Sequence, residues 1–224
     1  MQKISCVIFD LDGTLSRTNE LIYATFNHVA EKYLHRVFTA PEIARMFGPP
    51  EEVAVERLVG PEMAEAALDD FYSFYQTHHP RLASAYEGIK AVLDFLKGRG
   101  IILAIFTGKG TRTTLITLEA IGLKNYFDLV VTGTDVENYK PSADGIRKVL
   151  NRLGLEPGEA LMVGDSVSDV KAAREAGVSI AAVVWDSYGK DRVLEMNVAH
   201  VFHSVKEFFD WLRVVIPDNG TRTT

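Results

Sequence analysis

The sequence predicts an α/β fold: a parallel sheet with helices on both faces, and an all-helical insertion after the first strand. Three observations carry this expectation. Residues 4–9 are a mostly apolar, β-favouring run that ends in Asp10-Leu11-Asp12-Gly13, as a strand covered on both faces does. From Tyr86 onward, short apolar runs alternate with amphipathic segments of about a dozen residues, the mark of right-handed βαβ units. Between these two regions, 17–80 shows helical periodicity and no strand-like run.

The elements follow in order. Leu21, Phe26, Val29, Ala30 and Tyr33 recur at helical spacing. Thr39-Ala40-Pro41-Glu42 reads as a capping box opening a short helix to Met46 or Phe47. Gly48-Pro49-Pro50 breaks it, a helix over 51–59 follows, and Gly60-Pro61 breaks that one. A longer helix runs from Glu62 to about Thr77 with Phe71, Phe74 and Tyr75 on its apolar face.

In the alternating half, Ile89, Val92, Leu93 and Leu96 make a helix stopped by Gly98 and Gly100. Strands are expected at 101–106, 128–132, 160–163, 178–185 and 199–202, and helices at 111–121, 144–153, 167–176 and 205–215. The first strand must join this sheet, so the core is Rossmann-like, built from 1–15 and 84–216. The helical cap is 16–83, entered near 16–18 and left near 80–86, and 217–224 is a polar tail. The tail holds Asn219-Gly220-Thr221, an accidental glycosylation sequon on this reading, and Gly220-Thr221-Arg222-Thr223-Thr224 repeats residues 110–114.

Composition narrows the function. With 24 Lys and Arg against 30 Asp and Glu in 224 residues, the net charge is −6, which argues against broad nucleic-acid binding. An anionic small molecule remains compatible, because one bound Mg²⁺ reverses a local field. The longest apolar runs, such as 101–106 and 180–185, are strand-length, so no membrane span is expected. No signal peptide is evident, and Cys6, the single cysteine, reads as a small buried hydrophobe. A cytoplasmic protein fits these features; the sequence specifies no oligomeric state.

The chemistry gathers at strand ends, where ligands sit in open parallel sheets. Asp10 and Asp12 follow the first strand, Thr107-Gly108-Lys109 another, Lys140-Pro141 a third, and Gly164-Asp165-Ser166 with Asp169 a fourth. Paired acids there are costly unless something cationic lies between them. Mg²⁺ prefers oxygen ligands, which Asp10 and Asp165 can supply. A carboxylate beside Mg²⁺ and Lys140 stays ionised and can attack phosphorus. Thr107, an ammonium and backbone N–H groups suit the charge on the phosphoryl oxygens. Asp12, two residues on, is placed to protonate a leaving alkoxide and later to take a proton from water.

Asp10-Leu11-Asp12-Gly13-Thr14-Leu15, Thr107-Gly108, Lys140-Pro141 and Gly164-Asp165-Ser166-x-x-Asp169 together resemble the four motifs of haloacid-dehalogenase-superfamily hydrolases. Their order, and the helical insertion after the first motif, resemble the phosphoglycolate-phosphatase-like branch with an α-helical cap. The resemblance implies that Asp10 is the nucleophile and a metal ligand. It implies Asp12 as general acid/base with its main-chain carbonyl on the metal, Thr107 and the Gly108 N–H on the phosphoryl oxygens, and Lys140 bridging nucleophile and phosphate. Asp165 then completes the metal shell, and Asp169 supports the ligands from behind or is itself a further ligand. The implied enzyme is a Mg²⁺-dependent phosphatase of a small phosphorylated metabolite, such as phosphoglycolate, a sugar phosphate or pyrophosphate. Ser16-Arg17-Thr18 departs from the Asp-Ser or Asp-Thr that such phosphatases often carry there.

Other readings stay open at this stage. A β-phosphoglucomutase-like phosphomutase uses the same residues. A dinucleotide-binding module would use Gly108-x-Gly110, but lacks the third glycine. A phospho-receiver module gathers the same residue types on different strands. Thr107 could instead cap the following helix, and Lys109 reads equally as a solvated loop lysine or a substrate contact. His78-His79, before Pro80 and without a third ligand, read as a linker turn. The aromatics of 17–80 read as packing, and Arg17, Arg45 and Arg57 as surface residues.

Overall fold

Alternation along the first strand sets up two packed layers. In the computed structural model, which describes residues 4–217, Val7 and Phe9 of β1 (Cys6–Phe9) pack into one hydrophobic cluster, and Cys6 and Ile8 into another. The period-two geometry of a strand requires this split. No residue of β1 has a polar side to show, because both faces are covered.

After β1 the chain passes through β2 (Ser16–Arg17) into α1 (Asn19–Leu34), α2 (Ala40–Ala44), α3 (Glu51–Val59) and α4 (Pro61–Leu82). These four helices bury a core of their own, with Leu21, Phe26 and Val29 of α1, Ile43 of α2, Val55 of α3, and Phe71 and Tyr75 of α4 at its centre. The aromatics of the segment are thus packing residues. The α2 capping box forms as the sequence predicts, the Thr39 N–H donating to Glu42 at 2.8 Å. The chain returns through β3 (Ser84–Ala85), which pairs antiparallel with β2. Two residues on each side give no periodicity to read, so the sequence does not reveal this ribbon.

The remainder alternates: α5 (Ile89–Gly98), β4 (Ile102–Phe106), α6 (Thr111–Ala120), β5 (Leu129–Val131), α7 (Asp144–Leu153), β6 (Ala160–Gly164), α8 (Val167–Ala176), β7 (Ser179–Val183), α9 (Lys190–Leu194), β8 (His200–Phe202) and α10 (Val205–Val215). Among the described residues, the strands other than β2 and β3 form a six-stranded parallel sheet in the order β5-β4-β1-β6-β7-β8. Helices α5 and α10 cover one face, and α7 and α8 the other, which is the expected Rossmann-like α/β class. Strand order reverses between β1 and β6, and ligands in such sheets bind at this switch point.

Two expectations fail locally. Helix α4 runs through Pro80 to Leu82, so His78 and His79 are helical and not a linker turn. Pro80 falls in the last turn, where a missing N–H costs one bond near an end that frays anyway. The packing of Tyr75 and His79 against each other, ring centroids 5.7 Å apart, helps hold the turn. The short helix α9 was also not expected; five residues are too few to show a helical period. Of the polar tail only Pro217 is described, so the sequon and the repeated pentapeptide lie outside the described residues. Among the described residues no helix is long and apolar enough to cross a membrane.

Candidate active site

Pairing in the sheet brings the motifs together. Phe9 lies opposite Ile105 of β4 and Val163 of β6, so the residues that follow these strands emerge side by side. Asp10 leaves the central strand with its N–H on the Val163 carbonyl at 2.8 Å. Thr107 leaves the neighbour on one side and Asp165 follows the neighbour on the other. Lys140 arrives from the loop after β5, 130 residues away in sequence, and its Nζ donates to Asp10 Oδ1 at 2.8 Å and to Asp169 Oδ1 at 2.6 Å.

Asp169 is fully buried and both its oxygens are engaged. Lys140 holds Oδ1, while the Ser166 N–H and hydroxyl donate to Oδ2 at 3.0 and 2.6 Å. Its position in the first turn of α8, closing a capping box with Ser166, follows from the acid preference of helix N-termini. Asp165 accepts from the Thr14 hydroxyl at 3.3 Å, and its main-chain carbonyl from Ser187 at 2.6 Å.

One ammonium therefore faces three carboxylates. Oxygens of Asp10, Asp165 and Asp169 lie within 4.8 Å of one another. Burial pushes the Asp10 carboxyl up to about 7, against the pull of Lys140, and burial with the Asp10 charge raises Asp165 well above the usual carboxylate range. Burial lowers the Lys140 ammonium, but Asp10 and Asp169 outweigh it and hold the lysine above its ordinary value. Clustered buried acids short of positive charge are a fit for a divalent cation with oxygen preference.

Asp12 points to the other side of the turn. Thr18 donates to its Oδ1 at 2.5 Å and Lys109 to its Oδ2 at 2.9 Å. Thr107 is buried, and its hydroxyl accepts from the Lys109 N–H at 3.3 Å. It does not cap α6: Gly110 holds the N-cap position, and the carboxylate of Glu51, from α3, accepts from the Gly110 N–H at 2.8 Å and from Thr113 Oγ1 at 2.5 Å. Asp10, Asp12, Thr107, Gly108, Lys140 and Asp165 all line one cavity of about 680 Å³, whose far wall includes Phe26, Arg45, Phe47 and Tyr75 of the helical segment.

Asp10, Asp12, Thr107, Gly108, Lys140, Asp165 and Asp169 are thus gathered on one edge of the sheet. Sequence reasoning missed Thr18, Glu51 and Ser187, and left Lys109 undecided. Lys109 had a signal, since it directly follows Thr107-Gly108 at a strand end; the others carried none.

The comparisons agree with this geometry. The sequence profile of haloacid dehalogenase-like hydrolases matches residues 7–183. This chain belongs to that family. The pyrophosphatase PpaX of Halalkalibacterium halodurans is 35% identical over 208 residues, 93% of this chain and 96% of the relative. The PpaX of Bacillus pumilus is 34% identical over 215 residues, 96% and 98% of the two chains. Among solved structures, a Thermotoga maritima protein assigned as a beta-phosphoglucomutase superposes with a TM-score of 0.75 at 29% identity, covering 95% of this chain and 100% of that one. A haloacid dehalogenase-like hydrolase from Streptococcus pneumoniae does so at 0.77 and 25%, with the same coverages. The chain is a phosphatase acting on phosphorylated substrates. The dinucleotide-binding and phospho-receiver readings fall with that assignment.

Proposed function

We propose that the chain is a Mg²⁺-dependent phosphatase that hydrolyses a small phosphorylated metabolite through an aspartyl-phosphate on Asp10. Pyrophosphate, which its PpaX relatives are named for, is the first candidate substrate. The observation that carries the reading is the Asp10 carboxylate held 2.8 Å from Lys140 in a cluster with half-buried Asp165 and buried Asp169.

Lys140 fixes Asp10 Oδ1 and leaves the other oxygen to attack phosphorus. As that O–P bond forms, the bond to the leaving oxygen breaks and its electron pair departs with the leaving group. Asp12 gives that oxygen a proton where it needs one. Water then attacks phosphorus, losing its proton to Asp12, and orthophosphate leaves Asp10 free. The Thr107 hydroxyl, the Gly108 N–H and Lys140 meet the phosphoryl oxygens, where charge accumulates in the transition state. Asp10, the main-chain carbonyl of Asp12 and Asp165 would hold Mg²⁺, which supplies charge neutralisation of the phosphoryl group when bound. Asp169, with both oxygens engaged, positions Lys140 instead.

The helical segment, 16–83, acts in this reading as a cap over the core of 1–15 and 84–216, closing to expel bulk water. The lone buried thiol of Cys6, pushed up to about 12 by burial, suits the reducing cytoplasm in which we place the reaction.

Asp10→Asn is expected to abolish turnover while leaving the thermal melting temperature close to that of the parent. Near-normal activity in that variant would overturn the nucleophile. The 29% identity to the beta-phosphoglucomutase relative keeps a phosphomutase as the second reading. Stoichiometric orthophosphate release from a panel of phosphorylated metabolites favours the phosphatase, and isomerised sugar phosphate without release favours the mutase.

A further inference from the structure

Lys109 has no place in the steps above, yet it is built into the site. Its side chain is 7% exposed, and its ammonium stands 2.9 Å from Asp12 Oδ2 and 4.8 Å from the centroid of the Tyr75 ring. Tyr75 is itself fully buried, its hydroxyl 2.8 Å from Thr117 Oγ1. Burial works against the ammonium, but Asp12, Tyr75 and Glu51 together outweigh it and hold Lys109 above its ordinary value. Burying a lysine is costly without a compensating partner. Here the partner is the carboxylate that serves the leaving oxygen.

That pairing fixes where Lys109 acts. A general acid lies within hydrogen-bond reach, about 3 Å, of the atom that it protonates. A cation 2.9 Å from Asp12 is therefore within about 6 Å of the leaving oxygen. Its contact with the Tyr75 ring puts it against α4, whereas the Lys140 ammonium is held by Asp10 and Asp169. The part of the substrate beyond the scissile bond must occupy that side. The transferring phosphoryl group already has Lys140 for its charge, so a second buried ammonium answers a second anionic centre. Arg45, Lys171 and Arg192 line the same cavity.

We propose that Lys109 binds the leaving group, and that it selects leaving groups with anionic oxygens of their own, a second phosphoryl group above all. This rests on the phosphatase reading and deepens it: the preferred substrate class is a diphosphate. Lys109 then does double duty, meeting the distal phosphoryl oxygens in the bound substrate and stabilising the charge that the leaving oxygen acquires.

The test compares pyrophosphate with p-nitrophenyl phosphate, whose leaving group carries no further anionic oxygen. Lys109→Met is expected to lower the ratio of kcat/KM for pyrophosphate to that for p-nitrophenyl phosphate by about 10²-fold, while Lys109→Arg retains most of it. An equal loss on both substrates would overturn the proposal. A measurement on the unaltered protein stands beside the variants, should Lys109→Met fail to fold. Methylenediphosphonate should inhibit p-nitrophenyl phosphate turnover at least about tenfold more tightly than methylphosphonate, and equal inhibition constants would overturn the role of Lys109. Release of phosphate from p-nitrophenyl phosphate with none from pyrophosphate would sink the diphosphate preference alone. Release from neither, or from any phosphorylated metabolite tried, would sink the phosphatase reading itself.

Discussion

Gly13 is under a tight steric constraint in the site. Its φ is +80°, and a Cβ built there would sit 2.5 Å from Asp165 Oδ2. The turn between Asp10 and Thr14 therefore closes against Asp165 only because residue 13 has no side chain. Gly13→Ala should cost about 1–3 kcal/mol of stability from the backbone alone and displace Asp165 from Asp10. The expected outcome is a lowered denaturation midpoint together with, on the proposed Mg²⁺-dependent mechanism, a raised half-saturating Mg²⁺ concentration, read from activity across a metal titration. Unchanged values for both would mean that the turn has room to spare. Of the site residues legible in the sequence, three follow directly on a strand. Asp10, Thr107 and Asp165 emerge from adjacent parallel strands, so a correct strand assignment brings them together. Asp169 was legible as a helix-opening acid, but its bond to Lys140 was not. The Asp12–Lys109 pair spans 97 residues and depends on side-chain direction, which no periodicity encodes.

At the scale of elements, most of the fold is readable because its helices have one apolar face and its strands none exposed. Helices α3, α7, α8 and α10 fall on their expected bounds, each with clear flanking signals such as Gly60, Gly154 and Gly177. Helix α4 escaped at its C-terminal end because local sequence and tertiary packing disagree there: Pro80 says stop, and burial of Tyr75 and His79 says continue. That burial has a consequence for pH. His79 is almost wholly buried, its Nε2 has no hydrogen-bond partner, and burial, aided by the Lys109 charge, lowers its pKa below the usual 6.5. The folded state thus favours neutral imidazole. Its contribution to stability is complete above the unfolded value of about 6.5 and is lost as pH falls toward the depressed folded value, because the unfolded chain takes up the proton first. The raised Asp10 and Asp165 carboxyls act in the opposite direction over the same range, so the contribution of His79 is read as a difference: between pH 7.5 and pH 5, urea midpoints of the parent should drop relative to those of His79→Gln. Midpoints that run parallel in the two proteins would remove His79 from the pH dependence.

Among the described residues, the core of the helical segment and the core that lines both faces of the sheet meet at two main junctions. One junction is the β2–β3 ribbon, continued by the Tyr86 N–H on the Leu15 carbonyl at 3.1 Å. The other is a contact between the helical segment and α6, where Glu51 accepts from Gly110 and Thr113, and Tyr75 meets Thr117. Glu51 is 6% exposed, so the contact places a buried carboxylate on the Gly110 N–H and the Thr113 hydroxyl at the N-terminus of α6, where the helix dipole favours it. The loop that leads into α6 carries Thr107, Gly108 and Lys109. Seating Glu51 therefore bears on how this loop, which we propose meets the phosphoryl oxygens, is held, although Glu51 has no part in the proposed chemistry. Glu51→Ala leaves the Gly110 N–H and the Thr113 hydroxyl without their partner, a loss of about 1–3 kcal/mol concentrated at this junction. Hydrogen exchange measured by mass spectrometry should speed up in peptides covering 110–117 and in the facing part of α4. The strand peptide at 102–106, buried in the sheet with its own ladder on both sides, should keep its protection. Faster exchange throughout the chain would show that the two cores unfold as one unit, and no change at 110–117 would show that Glu51 holds nothing there.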